Sequence, residues 1–227
     1  MKNIHVIPHT HWDREWYFTA ARSEIFFMNN FLDVIETLEE YSEFKHFILD
    51  GQTSLLDDYI KFRPEDKKRI SDLVKAGRLI IGPWYTQSDQ MLISGESIVR
   101  NLQQGIKTAL EYGDYQEVAY VPDSFGQSAA MPQIYNEFDL DKTLFWRGVT
   151  DEMTHLKEFV WQGNDGSSVL AVQIPNGYYV GGNIPEEASK AAEFWKNEAI
   201  GVAGDRTGTS NIYFPNGFDQ APIRKNL

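Results

Sequence analysis

His9, His11 and Asp13 fall within the five-residue segment His9-Thr10-His11-Trp12-Asp13, and all three are of types that bind a divalent cation. In extended chain, residues two apart face the same side, so the three could converge on one pocket. The competing reading is a polar surface loop. A further carboxylate, Asp123, stands between Pro122 and Ser124-Phe125-Gly126. Presented there, it could act as a nucleophile toward a glycosyl centre, ligate a metal, or cap the following helix. Arg147 follows Leu144-Phe145-Trp146, where a guanidinium is costly unless it is paired. Beside Asp123 it would hold that carboxylate ionised; otherwise it makes a surface ion pair worth little. Asp219, in Asn216-Gly217-Phe218-Asp219-Gln220, supplies the second carboxyl of a two-carboxylate mechanism, or merely suits a turn. Trp12, Trp16, Trp84, Tyr85 and Phe125 lie beside these groups and offer faces for sugar C–H bonds, although core packing is the default for any one of them.

These residues share a place in the pattern: each follows a predicted strand. Hydrophobic periodicity and breakers predict strands over 4–8, 47–49, 79–81, 117–121, 143–146 and 211–214, and a strand pair over 159–162 and 169–174. Helices are predicted over 25–41, 55–62, 64–76, 94–112, 130–138 and 185–199. Strand and helix alternate without an internal repeat. The fold class expected is therefore α/β, a parallel sheet or (β/α) barrel. In such folds ligands bind at the carboxyl ends of the strands, so five clusters would meet on one rim.

Composition narrows the partners. The chain has 227 residues, enough for one large domain, with 42% hydrophobic and 24% charged residues, as in ordinary globular proteins. A net charge of −12 disfavours nucleic acid and anionic membrane surfaces. With no cysteine there is neither a disulfide framework nor a thiolate metal site, so any metal must use His, Asp or Glu. The apolar run at Ile4–Pro8 is too short for a signal-peptide core, and nothing approaches the roughly 20 apolar residues of a membrane span. A cytoplasmic location is expected.

The motifs HTHWDREWY, GPWYTQSDQMLISGESIVRNL, PDSFGQSAAMPQIY, FWRGV and PNGFDQ, in this order and spacing, resemble the N-terminal catalytic domain of glycoside hydrolase family 38, the retaining α-mannosidases. The bacterial branch, with mannosylglycerate hydrolases and cytoplasmic α-mannosidases, is the most similar. The resemblance implies a distorted barrel-like domain and one zinc, or another divalent metal, per site. It implies His11 and Asp13 as metal ligands, Asp123 as both ligand and nucleophile, and Arg147 as the arginine near the nucleophile. It also implies Asp219 as general acid/base, Trp16 and Phe125 as walls of the sugar subsite, and Tyr179 or its neighbour Tyr178 as a contact to sugar hydroxyls. Ser88 stands where relatives often have Pro, and Gln127 where many have His. The family's fourth zinc ligand is a histidine from much later in a longer chain. Residues 1–227 are therefore expected to be the N-terminal part of an incomplete catalytic domain, without the C-terminal domains. With only three protein ligands, weak metal binding and low activity are expected, and apolar surface exposed by an incomplete barrel would favour self-association, as in a homo-oligomer.

The expected activity is hydrolysis of terminal α-mannosidic bonds in mannose-containing oligosaccharides or mannosyl glycosides, through a covalent glycosyl-enzyme on Asp123. A mannosylglycerate hydrolase of the same family is the alternative within that class. Outside it stand a metal-dependent deacetylase, which needs more histidine ligands than follow His11, and a non-catalytic sugar-binding fragment.

Overall fold

The computed structural model describes residues 2–200 and 204–225. The chain runs β1 (Asn3–Thr10), α1 (Ala20–Glu40), β2 (Phe47–Leu49), α2 (Ser54–Phe62), a 3₁₀ turn (Pro64–Asp66), α3 (Lys67–Lys75), β3 (Leu79–Ile80) and α4 (Gly95–Leu110). It continues through β4 (Ala119–Val121), α5 (Met131–Asn136), β5 (Lys142–Phe145), β6 (Glu158–Gln162), β7 (Ser168–Gln173), α6 (Ala188–Phe194) with a π-helical extension (Trp195–Ile200), and β8 (Asn211–Asn216).

One four-stranded sheet has the order β3-β2-β1-β8, all parallel, in a register that sets Asn3 opposite Asn211 and Pro8 opposite Asn216. The other has the order β4-β5-β7-β6, with β4, β5 and β7 parallel and β6 returning antiparallel to β7 as a hairpin. Period-two alternation explains how the two sheets meet. Ile48, Tyr120 and Leu144 point inward to a shared cluster with Ile7, Ile80, Val172 and Tyr213, so every parallel strand of both sheets contributes to one interior. Their neighbours point outward. Phe47 and Leu49 pack with Phe31, Ile35 and Leu38 of α1 and with Leu56 and Ile70 of α2 and α3. Ala119, Val121 and Phe145 pack with Ile98 and Leu102 of α4 and Tyr135 of α5. Strands covered on both faces are apolar throughout, which is why these segments read as short hydrophobic runs. The interior cluster with helices outside is the distorted barrel-like arrangement expected from the alternation.

The differences from expectation lie at element ends. α1 starts at Ala20 rather than Ile25, because Ala20-Ala21-Arg22-Ser23-Glu24 extends the helix without adding to its apolar stripe. Pro64–Asp66 forms the 3₁₀ turn and α3 proper begins at Lys67. The helix expected over 185–199 is α6 followed by its π-helical extension. α6 has no fully buried residue, so no continuous apolar face sets its limits. Among the described residues, no helix is long and apolar enough to cross a membrane.

Candidate active site

The loops after β1, β2, β4, β5, β7 and β8 meet at one end of the barrel. The β1–β8 ladder continues past its last strand pair as a parallel bridge between His11 and Asp219, with Gln220 N–H donating to His11 O at 2.9 Å. This approach requires Gly217: a Cβ there would stand 2.1 Å from the His9 carbonyl oxygen. Asp219 is thereby fixed beside His11, and its Oδ1 accepts a 2.7 Å hydrogen bond from the Tyr178 hydroxyl. The Tyr178 ring lies 5.0 Å from that of His11. Burial, then the Asp219 hydrogen bond, hold the Tyr178 hydroxyl far above its ordinary pKa, so it remains a donor to Asp219.

His11 is oriented from behind by Asp50. Its Nδ1 lies 2.9 Å from Asp50 Oδ1, while Asp50 Oδ2 accepts from Trp12 N–H at 2.8 Å and Gln52 Nε2 at 2.7 Å. Asp50 is fully buried and its two oxygens take up these three donors, so Nδ1 is turned toward Asp50 and Nε2 faces the opposite side. That Nε2 is buried and has no hydrogen-bond partner among the described residues. It faces Asp13 Oδ1 at 3.5 Å and Asp123 Oδ2 at 3.8 Å. Burial works against charging His11. The Asp50 carboxylate, its hydrogen bond to Nδ1 and the nearby Asp13 outweigh burial and carry its pKa well above the ordinary value.

Zinc at its usual ligand distances separates tetrahedral donors by about 3.3–3.5 Å. The His11–Asp13 distance of 3.5 Å falls at the edge of that range and the His11–Asp123 distance of 3.8 Å lies beyond it, and among the described residues no three His, Asp or Glu side chains stand together at metal-binding spacing. The orphaned Nε2, the two facing oxygens and the carboxylate–histidine support behind them fit a divalent ion.

Asp123 Oδ1 accepts from Arg147 Nε at 3.1 Å and Nη2 at 2.7 Å. Arg147 is itself held between two rings, 3.8 Å from the Trp146 centroid and 4.2 Å from that of Phe125. Burial lifts the Asp123 carboxyl above its ordinary pKa, and Arg147 and His11 offset this only in part.

The loop after β3 braces these groups. Asn101 of α4 accepts from Tyr85 and Thr86 N–H and donates to Ser88 Oγ. Asp89 accepts from Phe125 N–H at 2.7 Å, and Ser124 Oγ donates to Ser88 O. The two departures from the family motifs sit in this brace: Ser88 takes the Asn101 bond, and Gln127 bridges Gln90 and the Arg147 carbonyl. The result is a cavity of about 170 Å³ walled by His11, Asp13, Asp123, Gln87, Asp89 and Phe125. This is well below the roughly 300–1,000 Å³ of drug-sized pockets.

The structure therefore gathers His11, Asp13, Asp123, Arg147, Phe125 and Asp219. His9 does not join them, because its Nε2 is taken by the Tyr178 carbonyl at 2.7 Å and burial lowers its pKa. The three-residue convergence expected at the first motif is thus replaced by His11 and Asp13 with Asp123. Trp16 is exposed and packs edge-on against Tyr17, outside the cavity wall. Tyr178 reaches Asp219, while Tyr179 packs on Trp146 and Phe218 and lines a second cavity. Asp50, Gln52 and Gln87 were not anticipated. Asp50 follows the strand Phe47–Leu49 just as Asp123 follows β4, but its Asp-Gly pair reads as a turn.

Comparison with known proteins places this arrangement. The family model described as "Glycosyl hydrolases family 38 N-terminal domain" matches residues 1–226. A protein of Halalkalibacterium halodurans named "Putative mannosylglycerate hydrolase" is 34% identical over the whole chain, and human alpha-mannosidase 2C1 is 30% identical over 81% of it. The crystal structure of an alpha-mannosidase from Enterococcus faecalis V583 superposes with a TM-score of 0.95, at 34% identity, over all of the chain. The chain spans 26%, 18% and 26% of these three relatives, respectively.

Proposed function

The chain belongs to glycosyl hydrolase family 38 as its N-terminal domain, and we propose that the protein carrying it is a metal-assisted, retaining α-mannosidase with Asp123 as nucleophile. The observation that carries the reading is the orphaned His11 Nε2 facing Asp13 and Asp123 while Arg147 holds the other Asp123 oxygen. His11, Asp13 and Asp123 would hold the ion. When bound, zinc or another divalent ion supplies positive charge that keeps Asp123 ionised and orients sugar hydroxyls.

The chain's own residues carry the rest. Arg147, stacked between Trp146 and Phe125, fixes the Asp123 carboxylate in one orientation. Asp123 attacks the anomeric carbon and forms a covalent glycosyl-enzyme. Asp219 protonates the departing oxygen and then takes a proton from the incoming water. The Tyr178 hydroxyl anchors Asp219 through one oxygen and leaves the other for proton transfer. Retention requires nucleophile and acid to stand about 5–5.5 Å apart across the sugar. Deacetylation is disfavoured, since His11 is the single histidine lining the cavity among the described residues. Identity to the relative named for mannosylglycerate, at 34% over the whole chain, favours an α-mannoside of a small organic acid as a second substrate reading.

The test is hydrolysis of an aryl α-mannoside by the full-length enzyme, followed by NMR. The α-anomer should appear first, activity should vanish after chelation, and zinc should restore it. An inverted product, or acetate release from an acetylated sugar without mannoside cleavage, would remove the reading. Asp219→Asn should slow cleavage of an alkyl mannoside about 10²-fold or more and largely spare an activated aryl mannoside in the glycosylation step. Equal losses on both would point to a different acid.

A further inference from the structure

A second cavity of about 480 Å³ opens beside Trp146 and Tyr179, the sequence neighbours of Arg147 and Tyr178. Trp146 and Tyr179 line it. Trp146 also carries Arg147 on its ring, and Tyr179 packs edge-on at 5.7 Å against Tyr178, the partner of Asp219. Two cations reach this cavity, Lys157 and Arg206. The Lys157 side chain is only 7% exposed; its Nζ bonds Gln173 Oε1 at 2.9 Å and Asp151 Oδ1 at 3.2 Å. Arg206 pairs with that same Asp151 oxygen. Among the described residues Asp151 is the single carboxylate lining the cavity and is itself 64% exposed, so two cations share one well-solvated anion.

A desolvated ammonium neutralised this incompletely is costly, and burial accordingly pulls the Lys157 pKa below its ordinary value. On a chain of net charge −12, a cavity with one excess positive charge stands out from a field that otherwise repels anions. We infer that this cavity is an oxyanion subsite, in which Lys157 and Arg206 take a carboxylate or phosphoryl group on the aglycone of the substrate. The assignment rests on the glycosidase reading above and deepens it, because it names the class of leaving group. The guanidinium provides the planar donor pair that suits such a group, and the ammonium provides a point charge.

Steady-state kinetics of the full-length enzyme decide the matter. Lys157→Met and Arg206→Gln are compared with wild type on α-mannosylglycerate and on a neutral aryl α-mannoside. The KM for the anionic substrate should rise about tenfold or more in each variant, as expected for loss of a charged hydrogen bond, with the neutral substrate unchanged. An anionic KM that does not move, or that moves together with the neutral one, overturns the subsite. If Lys157→Met fails to fold, Arg206→Gln, whose side chain is 22% exposed in wild type, carries the same decision. Free glycerate and inorganic phosphate, titrated calorimetrically into wild type and Arg206→Gln, separate the two sources. Binding of one that is lost in the variant assigns the group, and binding of neither overturns the subsite. This arm stands even if wild type cleaves no mannoside, an outcome that would sink the glycosidase reading alone.

Discussion

Asp123→Asn lowers turnover of an α-mannoside by at least about 10³-fold, or roughly 4 kcal/mol of transition-state stabilisation, while the domain remains folded. The substitution keeps the shape of the side chain. The amide oxygen can still accept from Arg147 Nε and Nη2, which wild-type Asp123 binds at 3.1 and 2.7 Å. What is lost is the negative charge, and with it the nucleophile and one of the two carboxylates facing His11 Nε2. Two measurements separate these losses. The rate on an activated aryl mannoside reports the nucleophile, because such a substrate makes little demand on the acid. Metal content after dialysis reports the ligand. Unchanged turnover removes Asp123 from the mechanism, and lost metal with turnover restored at saturating zinc would leave it a ligand only.

Asp50→Asn weakens zinc binding about 10–100-fold and destabilises the fold by about 2–4 kcal/mol. Asp50 has φ of +45°, a left-handed conformation that Asn adopts as readily as Asp, so backbone strain is not the cause. The cause is donor arithmetic. His11 Nδ1 donates to one Asp50 oxygen, and Trp12 N–H and Gln52 Nε2 donate to the other. Either orientation of an Asn amide turns its NH₂ against one of these donor sets, in a position with no exposure to water. His11 would then lose its tautomeric constraint or Trp12 its loop anchor. Zinc titration and thermal melts of the variant check both effects. If affinity and melting point equal those of wild type, Asp50 is a bystander.

Much of this arrangement is written in local pattern. Phe47-Ile48-Leu49 and Ala119-Tyr120-Val121 show why: three apolar residues, the middle one facing the barrel interior and the outer two facing helices, make a strand buried on both faces and a site at its end. Applied without exception, the strand-end rule finds Asp50 as well as Asp123. It was masked because Asp-Gly also serves turns, and at Asp50 the chain needs both the left-handed turn and the carboxylate. Non-local pairing was not legible. His9 and His11 stand two residues apart at the end of β1, yet the Tyr178 carbonyl captures the first, and nothing near the motif records that. The choice between Tyr178 and Tyr179 depends on how the loop after β7 crosses the end of β8, a matter of tertiary approach fixed in part by Gly181, where a Cβ would stand 2.4 Å from the Pro215 carbonyl oxygen. The limits of α6 were equally hidden, since its sequence supports a helix but no buried stripe dictates where it stops.

The central claim is that one divalent ion binds between His11, Asp13 and Asp123. Anomalous diffraction at the zinc edge, from crystals of the enzyme grown with stoichiometric zinc, tests it directly. The account predicts one strong peak about 2.0–2.2 Å from His11 Nε2 and from a carboxylate oxygen of each aspartate. Zinc found elsewhere in the crystal, with these three side chains left unliganded, would contradict it.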